Sequence, residues 1–243
     1  MKIVFALMIP FAAFASENAT LEKMLAPTAN ATVKNDACFE LRGNKSPDVL
    51  AAMRKAMADQ NLRSCATKNL RAAGAIDLLR DAFKDEDPEI RAVAVLEVGM
   101  FNKSEDLASI AEAGRDVNLL VATNAVYALA GNPDAAALPY LEAIAGKGGL
   151  AGTQALGRLA QRNDPKAIEI ARRMVASKEA PDKLAAIKVM AEMGSKHDLK
   201  VLQEIKAKET GELSSGRGFG LMPAVSLSRA AKTAIEAIEK RGI

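Results

Sequence analysis

A short apolar phrase returns along the chain about every 31 residues. Each copy has an alanine, an aliphatic residue directly after it and an apolar residue four positions after it. The first four alanines, Ala94, Ala125, Ala155 and Ala186, are spaced 31, 30 and 31 residues apart, and Ala234 follows after 48 residues. This period is typical of stacked helical hairpins, none of which buries its apolar face alone. The sequence therefore predicts an all-α fold, an α-solenoid of about six helical hairpins.

Cap and turn residues place the boundaries of these hairpins. Ser46 and Pro47 combine an N-cap with a first-turn proline, so the first regular helix begins there. The second hairpin is predicted over 75–101, and the others begin near Asp106, Ala135, Asp164 and Asp198. The linkers repeat as well, and they are predicted to form helix caps and tight turns at Asn102, Asn132, Asn163 and Ser195.

The first fifteen residues have the pattern of a secretory signal peptide. Lys2 is followed by an apolar run over 3–14, and Ala13-Phe14-Ala15 is a small-x-small cleavage site before Ser16. A retained membrane anchor is the alternative, but this run of 12 residues is shorter than the ~20 that a spanning helix needs. We expect a periplasmic or secreted protein without a transmembrane segment in the mature chain.

Residues 16–45 form a polar segment that we expect to cap the array, with loose packing or partial disorder over 16–35. Cys38 and Cys65 are the only cysteines of the chain. Two thiols in an oxidising compartment most simply pair, so a disulfide between them is predicted. Two buried free thiols are the alternative, since free cysteine behaves as a small apolar residue. The crosslink would pin the N-terminal segment onto the first hairpin.

Charge and composition exclude several classes of function. Without residues 1–15 the chain has 32 basic and 30 acidic side chains, interleaved along the sequence. A nucleic-acid partner is not expected, because such proteins need a basic stripe for the phosphates. His197 is the only histidine, and it lies at a predicted helix start, where capping or solvent exposure accounts for it. No catalytic residue, metal site or cofactor is predicted.

One segment resembles a known family. Within residues 85–96 an Asp-Pro turn at Asp87-Pro88 leads to the pair Ile90-Arg91 and then to Ala94. This segment resembles the second-helix signature of HEAT repeats. The full signature appears in this repeat, and the apolar positions of the signature recur over about residues 46–241. The resemblance implies a right-handed superhelix with a repeat domain over 46–243, first helices on the convex side and second helices lining a concave surface. Similar repeats occur in HEAT-like phycobilisome lyases.

A helical wheel identifies candidate partner-binding residues on the second helices. With each repeat alanine at 0°, the buried arc centres near 50°, and positions −1 and +2 point the opposite way. Ordinary packing between repeats and solvated charges are the alternative explanation for this row. Its members are Val93, Leu96, Asn124, Tyr127, Gln154, Gly157, Ala185 and Lys188, with Arg158 beside them.

An insertion at 209–222 interrupts the last hairpin. It contains four glycines and two serines, and Arg217 and Phe219 are its candidate contact residues. Loops of this length in compact repeats are either functional or disordered.

The sequence as a whole predicts a non-catalytic scaffold of the bacterial cell envelope that binds a protein or peptide on its concave face. An enzyme or enzyme subunit of the HEAT-like lyase type is the alternative. A pocket lined by converging polar groups would favour the enzyme, and an open face would favour the scaffold.

Overall fold

The computed structural model describes the backbone of residues 11–208, 212–213 and 225–242. This part of the chain is all-α apart from one pair of two-residue strands. The helices are α1 (Phe11–Leu25), α2 (Ala31–Glu40), α3 (Pro47–Ala56), α4 (Arg63–Ala73), α5 (Ile76–Asp81), α6 (Pro88–Gly99), α7 (Leu107–Ala113), α8 (Leu119–Gly131), α9 (Leu138–Ala145), α10 (Gly149–Gln161), α11 (Pro165–Met174), α12 (Ala180–Met193), α13 (Leu199–Lys208) and α14 (Leu227–Arg241).

Short 3-10 turns and the strand pair complete the described structure. The turns are Ala82–Lys84, Ser104–Asp106, Ala135–Ala137 and Lys196–Asp198. The last three lead into α7, α9 and α13. Strands β1 (Glu212–Leu213) and β2 (Val225–Ser226) pair antiparallel, with Glu212 opposite Ser226.

The six predicted hairpins are present in the described residues as α3–α4, α5–α6, α7–α8, α9–α10, α11–α12 and α13–α14. Ser46 caps α3 as expected, because its side chain accepts a hydrogen bond from the Val49 N–H at 3.3 Å. The chain divides into two compact units, Met1–Val98 and Gly99–Ile243. Each unit is described by itself below.

The N-terminal stretch of the first unit is largely helical, where the sequence analysis expects loose packing or partial disorder over 16–35. Two helices, α1 and α2, cover most of it and pack against each other. Met24 is fully buried, and the Glu17 carboxylate accepts hydrogen bonds from Asn44 at 2.7 Å and from Ser46 at 2.6 Å. These hydrogen bonds hold the pKa of Glu17 below its ordinary value. Contacts with residues about 30 positions away therefore order a stretch that has little apolar pattern of its own.

The disulfide between Cys38 and Cys65 is confirmed. It joins α2 to α4 with a Cα–Cα distance of 6.4 Å, and both side chains are buried. Asn69, also buried, donates a hydrogen bond to the Cys38 carbonyl at 2.8 Å. A crosslink over 27 residues stabilises the fold by about 3 to 4 kcal/mol on the chain-entropy estimate. The crosslink therefore anchors the N-terminal helices to the first hairpin.

In the second unit, the second helix of each hairpin packs beside the next. The order is α8, α10, α12 and α14, and each first helix packs on its own hairpin partner. The repeat alanines lie in the cores of their units, because all five have no exposed surface: Ala94, Ala125, Ala155, Ala186 and Ala234. A side chain this small lets neighbouring helices approach closely, so the period read from the sequence is the period of helix packing.

The repeated linker residues form the caps and tight turns that were predicted. Asn102 and Asn163 take positive φ angles of 52° and 53°, a conformation in which asparagine is enriched. Asn132 is buried at the C-cap of α8, and its carbonyl accepts a hydrogen bond from Arg162, one repeat later, at 3.2 Å. Ser195 begins a capping box with Asp198.

Among the helices of the described residues, none combines enough length with enough apolar character to cross a bilayer.

We predict that Ala125→Leu lowers the free energy of unfolding by about 1 to 3 kcal/mol, because a larger side chain overpacks a fully buried helix contact. Chemical denaturation followed by circular dichroism measures the change. Ala143→Leu on the exposed side of α9 is the matched control, and its stability should stay within about 0.5 kcal/mol of the wild type. Equal midpoints for Ala125→Leu and the wild type would contradict the repeat packing.

Candidate functional site

The second helices of the second unit carry a row of side chains that point away from its core. We call this surface the second-helix face and define it by eight residues of α8, α10 and α12. Its clearest member is Tyr127, which is 52% exposed while its chain neighbours Val126 and Ala128 are buried. The face consists of Leu120, Asn124, Tyr127, Leu150, Gln154, Gly157, Arg158 and Lys188.

Tyr127 and Arg158 meet on this face. The Arg158 guanidinium carbon lies 5.7 Å from the centroid of the Tyr127 ring, within the range of a cation–π contact. The contact forms because α8 and α10 pack side by side and present these two side chains on the same surface. Arg158 also donates a hydrogen bond to the Gln161 side chain at 3.1 Å. The guanidinium is therefore oriented before any partner arrives.

Two leucines extend the face at the N-terminal ends of the same helices. Leu120 and Leu150 are 50% and 51% exposed and occupy equivalent positions of successive repeats. Leu120 lies seven residues, about two helical turns, before Tyr127. The sequence analysis missed both leucines because it considered only positions −1 and +2 from each repeat alanine. Helical spacing from Tyr127 would have found them.

Gly157 directly precedes Arg158 on this face. It occupies the position in α10 that Tyr127 occupies in α8, and a Cβ built on it meets no atom within 4 Å. A glycine in a helix interior costs about 0.5 to 1 kcal/mol relative to alanine. Packing does not require the glycine here, because the space that a Cβ would occupy is open.

The remaining candidates of the sequence analysis fall in different places. Val93 and Leu96 lie on α6 in the first unit, where both are half-buried. Lys188 is exposed on α12, and Ala185 of the same helix is half-buried. The insertion candidates Arg217 and Phe219 lie outside the described residues. The structure therefore brings together Asn124, Tyr127, Gln154, Arg158 and Lys188 on adjacent helices of one unit.

One open cavity of the second unit, of about 440 Å³, is lined by an ion pair between the buried Asp198 and the exposed Arg172. Asp198 accepts hydrogen bonds from the Arg172 guanidinium at 2.8 and 3.1 Å and from the Ser195 N–H at 2.9 Å. Burial acts to raise the pKa of Asp198, but the Arg172 hydrogen bonds, the Ser195 N–H and neighbouring positive charge outweigh it and hold this pKa below its ordinary value. The carboxylate therefore stays ionised and joins α11 to the start of the last hairpin.

A second open cavity, of about 400 Å³, lies at the turn between α9 and α10. Asp182 is buried there and accepts hydrogen bonds from the Gly149 N–H at 2.9 Å and from the Ser177 hydroxyl at 3.0 Å. Gly148 and Gly149 both have φ of 69°, which suits glycine. The carboxylate therefore fastens the start of α10 to that of α12, one repeat apart.

Metal-ligating side chains do not cluster in the described part of the chain. No group of three or more His, Cys, Asp or Glu residues is arranged there to hold an ion. His197 is exposed in the 3-10 turn before α13, as expected for a residue at a helix start.

Comparison with known proteins returns structural matches only. No family model and no curated protein matches the chain. Human deoxyhypusine hydroxylase in complex with glycerol matches at 15% identity and a TM-score of 0.41, over 95% of this chain and 99% of that one. A designed armadillo repeat protein matches at 14% identity and a TM-score of 0.40, over 90% and 98%. An engineered protein matches at 15% and 0.41, over 93% and 72%. The function of this chain is therefore argued from its own residues.

Proposed function

We propose that this chain is an exported, non-catalytic scaffold of the cell envelope that binds a protein or peptide segment on the second-helix face. The observation that carries the proposal is the half-exposed Tyr127 ring with the Arg158 guanidinium over it. Tyrosine and arginine are enriched among residues that dominate binding energy at interfaces. Their contact is made at the surface, so it adds little to the core of the unit and is available to a partner.

The apolar character of the same face supports a macromolecular partner. Leu120 and Leu150 are half-exposed about two helical turns before Tyr127 and Arg158, on helices whose other sides are buried. Exposed apolar groups that lie close together mark interaction surfaces more often than scattered ones do. An open surface of adjacent helices suits an extended segment better than a small molecule, which needs a concave pocket.

The alternative, an enzyme of the HEAT-like lyase type, finds less support in the geometry. An active site would need converging polar groups that are free to act on a substrate. In the two cavities described above, the buried carboxylates Asp182 and Asp198 are each held by several structural hydrogen bonds. These groups fasten one repeat to the next, which is a sufficient reason for their presence.

Membership of the HEAT repeats is part of the proposal. The Asp87 carboxylate accepts a hydrogen bond from the Glu89 N–H at 2.8 Å, which caps the start of α6. Arg91 donates to the Asp85 carbonyl at 2.8 Å, so the arginine of the resembling segment secures the turn that precedes its own helix. In the resembling segment, Asp87 thus caps the helix after the Asp-Pro turn, and Arg91 of the aliphatic-arginine pair holds that turn.

Export makes a prediction for the native protein. Tryptic peptide mapping without reductant should identify Ser16–Lys23 as the first peptide, because removal of the signal peptide after Ala15 leaves Ser16 as the N-terminus. It should also find the peptide Asn35–Arg42 linked to Ser64–Lys68, because Cys38 is bonded to Cys65. Mass spectrometry of the protein purified from the envelope fraction makes this test. Peptides that retain residues 1–15, or two thiols that react with an alkylating agent, would contradict export or the disulfide, respectively.

Binding makes a prediction for Tyr127. We expect Tyr127→Ala to weaken capture of the native partner by ~2 kcal/mol, about 30-fold, since truncation removes a hot-spot ring and the support of Arg158. Quantitative crosslinking and pull-down from the native envelope measures the loss, and circular dichroism shows that the helices remain.

Phe39→Ala is the matched control, because Phe39 is an aromatic residue of the first unit that is 60% exposed. It should capture the partner as the wild type does. If Tyr127→Ala keeps the partner while deletion of 212–221 loses it, the insertion carries the binding and the proposed site is wrong.

A further inference from the structure

The second-helix face has an uneven charge distribution. Helix α8 contains no charged residue, and the single charged residue of α10 is Arg158. On α12, Lys188 is exposed and points to the same side, while Asp182 is buried in the turn described above. Glu192, an exposed acid, follows one turn beyond Lys188 on the same helix. The centre of the face is therefore apolar and positively charged.

The two cations of the face differ in their ion pairing from other basic residues of the unit. Within the described residues, neither Arg158 nor Lys188 takes part in an ion pair. Other basic residues of the same unit are paired, such as Arg172 with Asp198 and Lys166 with Glu169. Arg158 is moreover held in place by the Tyr127 ring and by Gln161. A guanidinium fixed in this way is prepared for a bidentate carboxylate.

The spacing of the helices sets the spacing of a bound segment. Packed helices lie about 8–10 Å apart, and an extended chain advances ~3.3 Å per residue. A segment that crosses α8, α10 and α12 therefore moves about three residues from one helix to the next. Gln154, exposed one turn before Arg158, can hydrogen-bond the backbone of such a segment.

We propose, on the basis of the function proposed above, that the partner segment is an acidic peptide bound in extended form across α8, α10 and α12. An aromatic or aliphatic side chain of the segment lies against the exposed Tyr127 ring on α8. A carboxylate one or two residues later binds Arg158, whose guanidinium lies 5.7 Å from the Tyr127 ring. A second carboxylate about three residues further, above α12, binds Lys188. The neighbouring apolar and positively charged groups of the face favour a segment that has an apolar side chain followed by two carboxylates.

The test begins with random dodecapeptides displayed on phage and selected against the full protein. Enriched sequences should carry an aromatic or aliphatic residue followed by two carboxylates about three residues apart. The most enriched sequence is then synthesised with a fluorescent dye. Two variants are made with it: in the neutral version glutamine or asparagine replaces each acid, and in the lysine version lysine replaces each acid. Fluorescence anisotropy measures the affinity of each peptide.

Charge reversal then separates specific pairing from general attraction. Arg158→Glu and Lys188→Glu should each lower the affinity for the acidic peptide at least about tenfold. Each variant should also bind the lysine version of the peptide more tightly than the wild type does. Lys200→Glu, the same charge change at an exposed position of α13, is the control and should leave the affinity unchanged.

The outcomes distinguish this inference from the proposed function. One outcome would overturn the acidic partner but support the binding face. In it, the enriched peptides are neutral or basic, their affinity depends on Tyr127, and neither charge reversal changes that affinity. Peptides that bind Tyr127→Ala as tightly as the wild type would overturn both the acidic partner and the proposed binding face. A selection that enriches no sequence would also overturn both.

Discussion

Close approach of helices at alanine is the constraint on which the rest of the structure depends. Each repeat alanine is fully buried between neighbouring helices. Gly99 extends this principle, because a Cβ built on it would overlap Ala128 of α8. Small residues at these points fix which side of each second helix faces the core. The opposite side, with Tyr127 and Arg158, is thereby turned to the surface.

Polar contacts at a separation of about one repeat complete the stacking. Arg54 pairs with Asp85 at 2.8 Å in the first unit, and Asp182 reaches the turn that begins α10 in the second. Burial acts to raise the pKa of Asp85, but its hydrogen bonds with Arg54 and the Asp87 N–H and the charge of Arg54 hold that pKa below its ordinary value. These charged groups stabilise the packing of successive repeats. Arg158 and Lys188 have no such carboxylate partner among the described residues, which is why they are the better candidates for function.

The repeat pattern was predictable from the sequence because local chemistry and packing agree there. The period, the six hairpins, the asparagine linkers and the disulfide all follow from residues whose local preference matches their final environment. The helices α1 and α2 could not be predicted with the same ease, since Glu17 depends on Asn44 and Ser46 far along the chain. The second-helix face was predicted in part: the wheel found Tyr127 and Arg158, but their contact depends on how two helices pack.

The most direct measurement is an amide NMR map of the full, isotopically labelled protein with and without the bound peptide selected on phage. The account predicts that shift changes concentrate on the second-helix face, at residues such as Leu120, Tyr127 and Arg158. The first helices α7, α9 and α11 should keep their shifts. Changes centred on those helices, or on the cavities around Asp182 and Asp198, would contradict it.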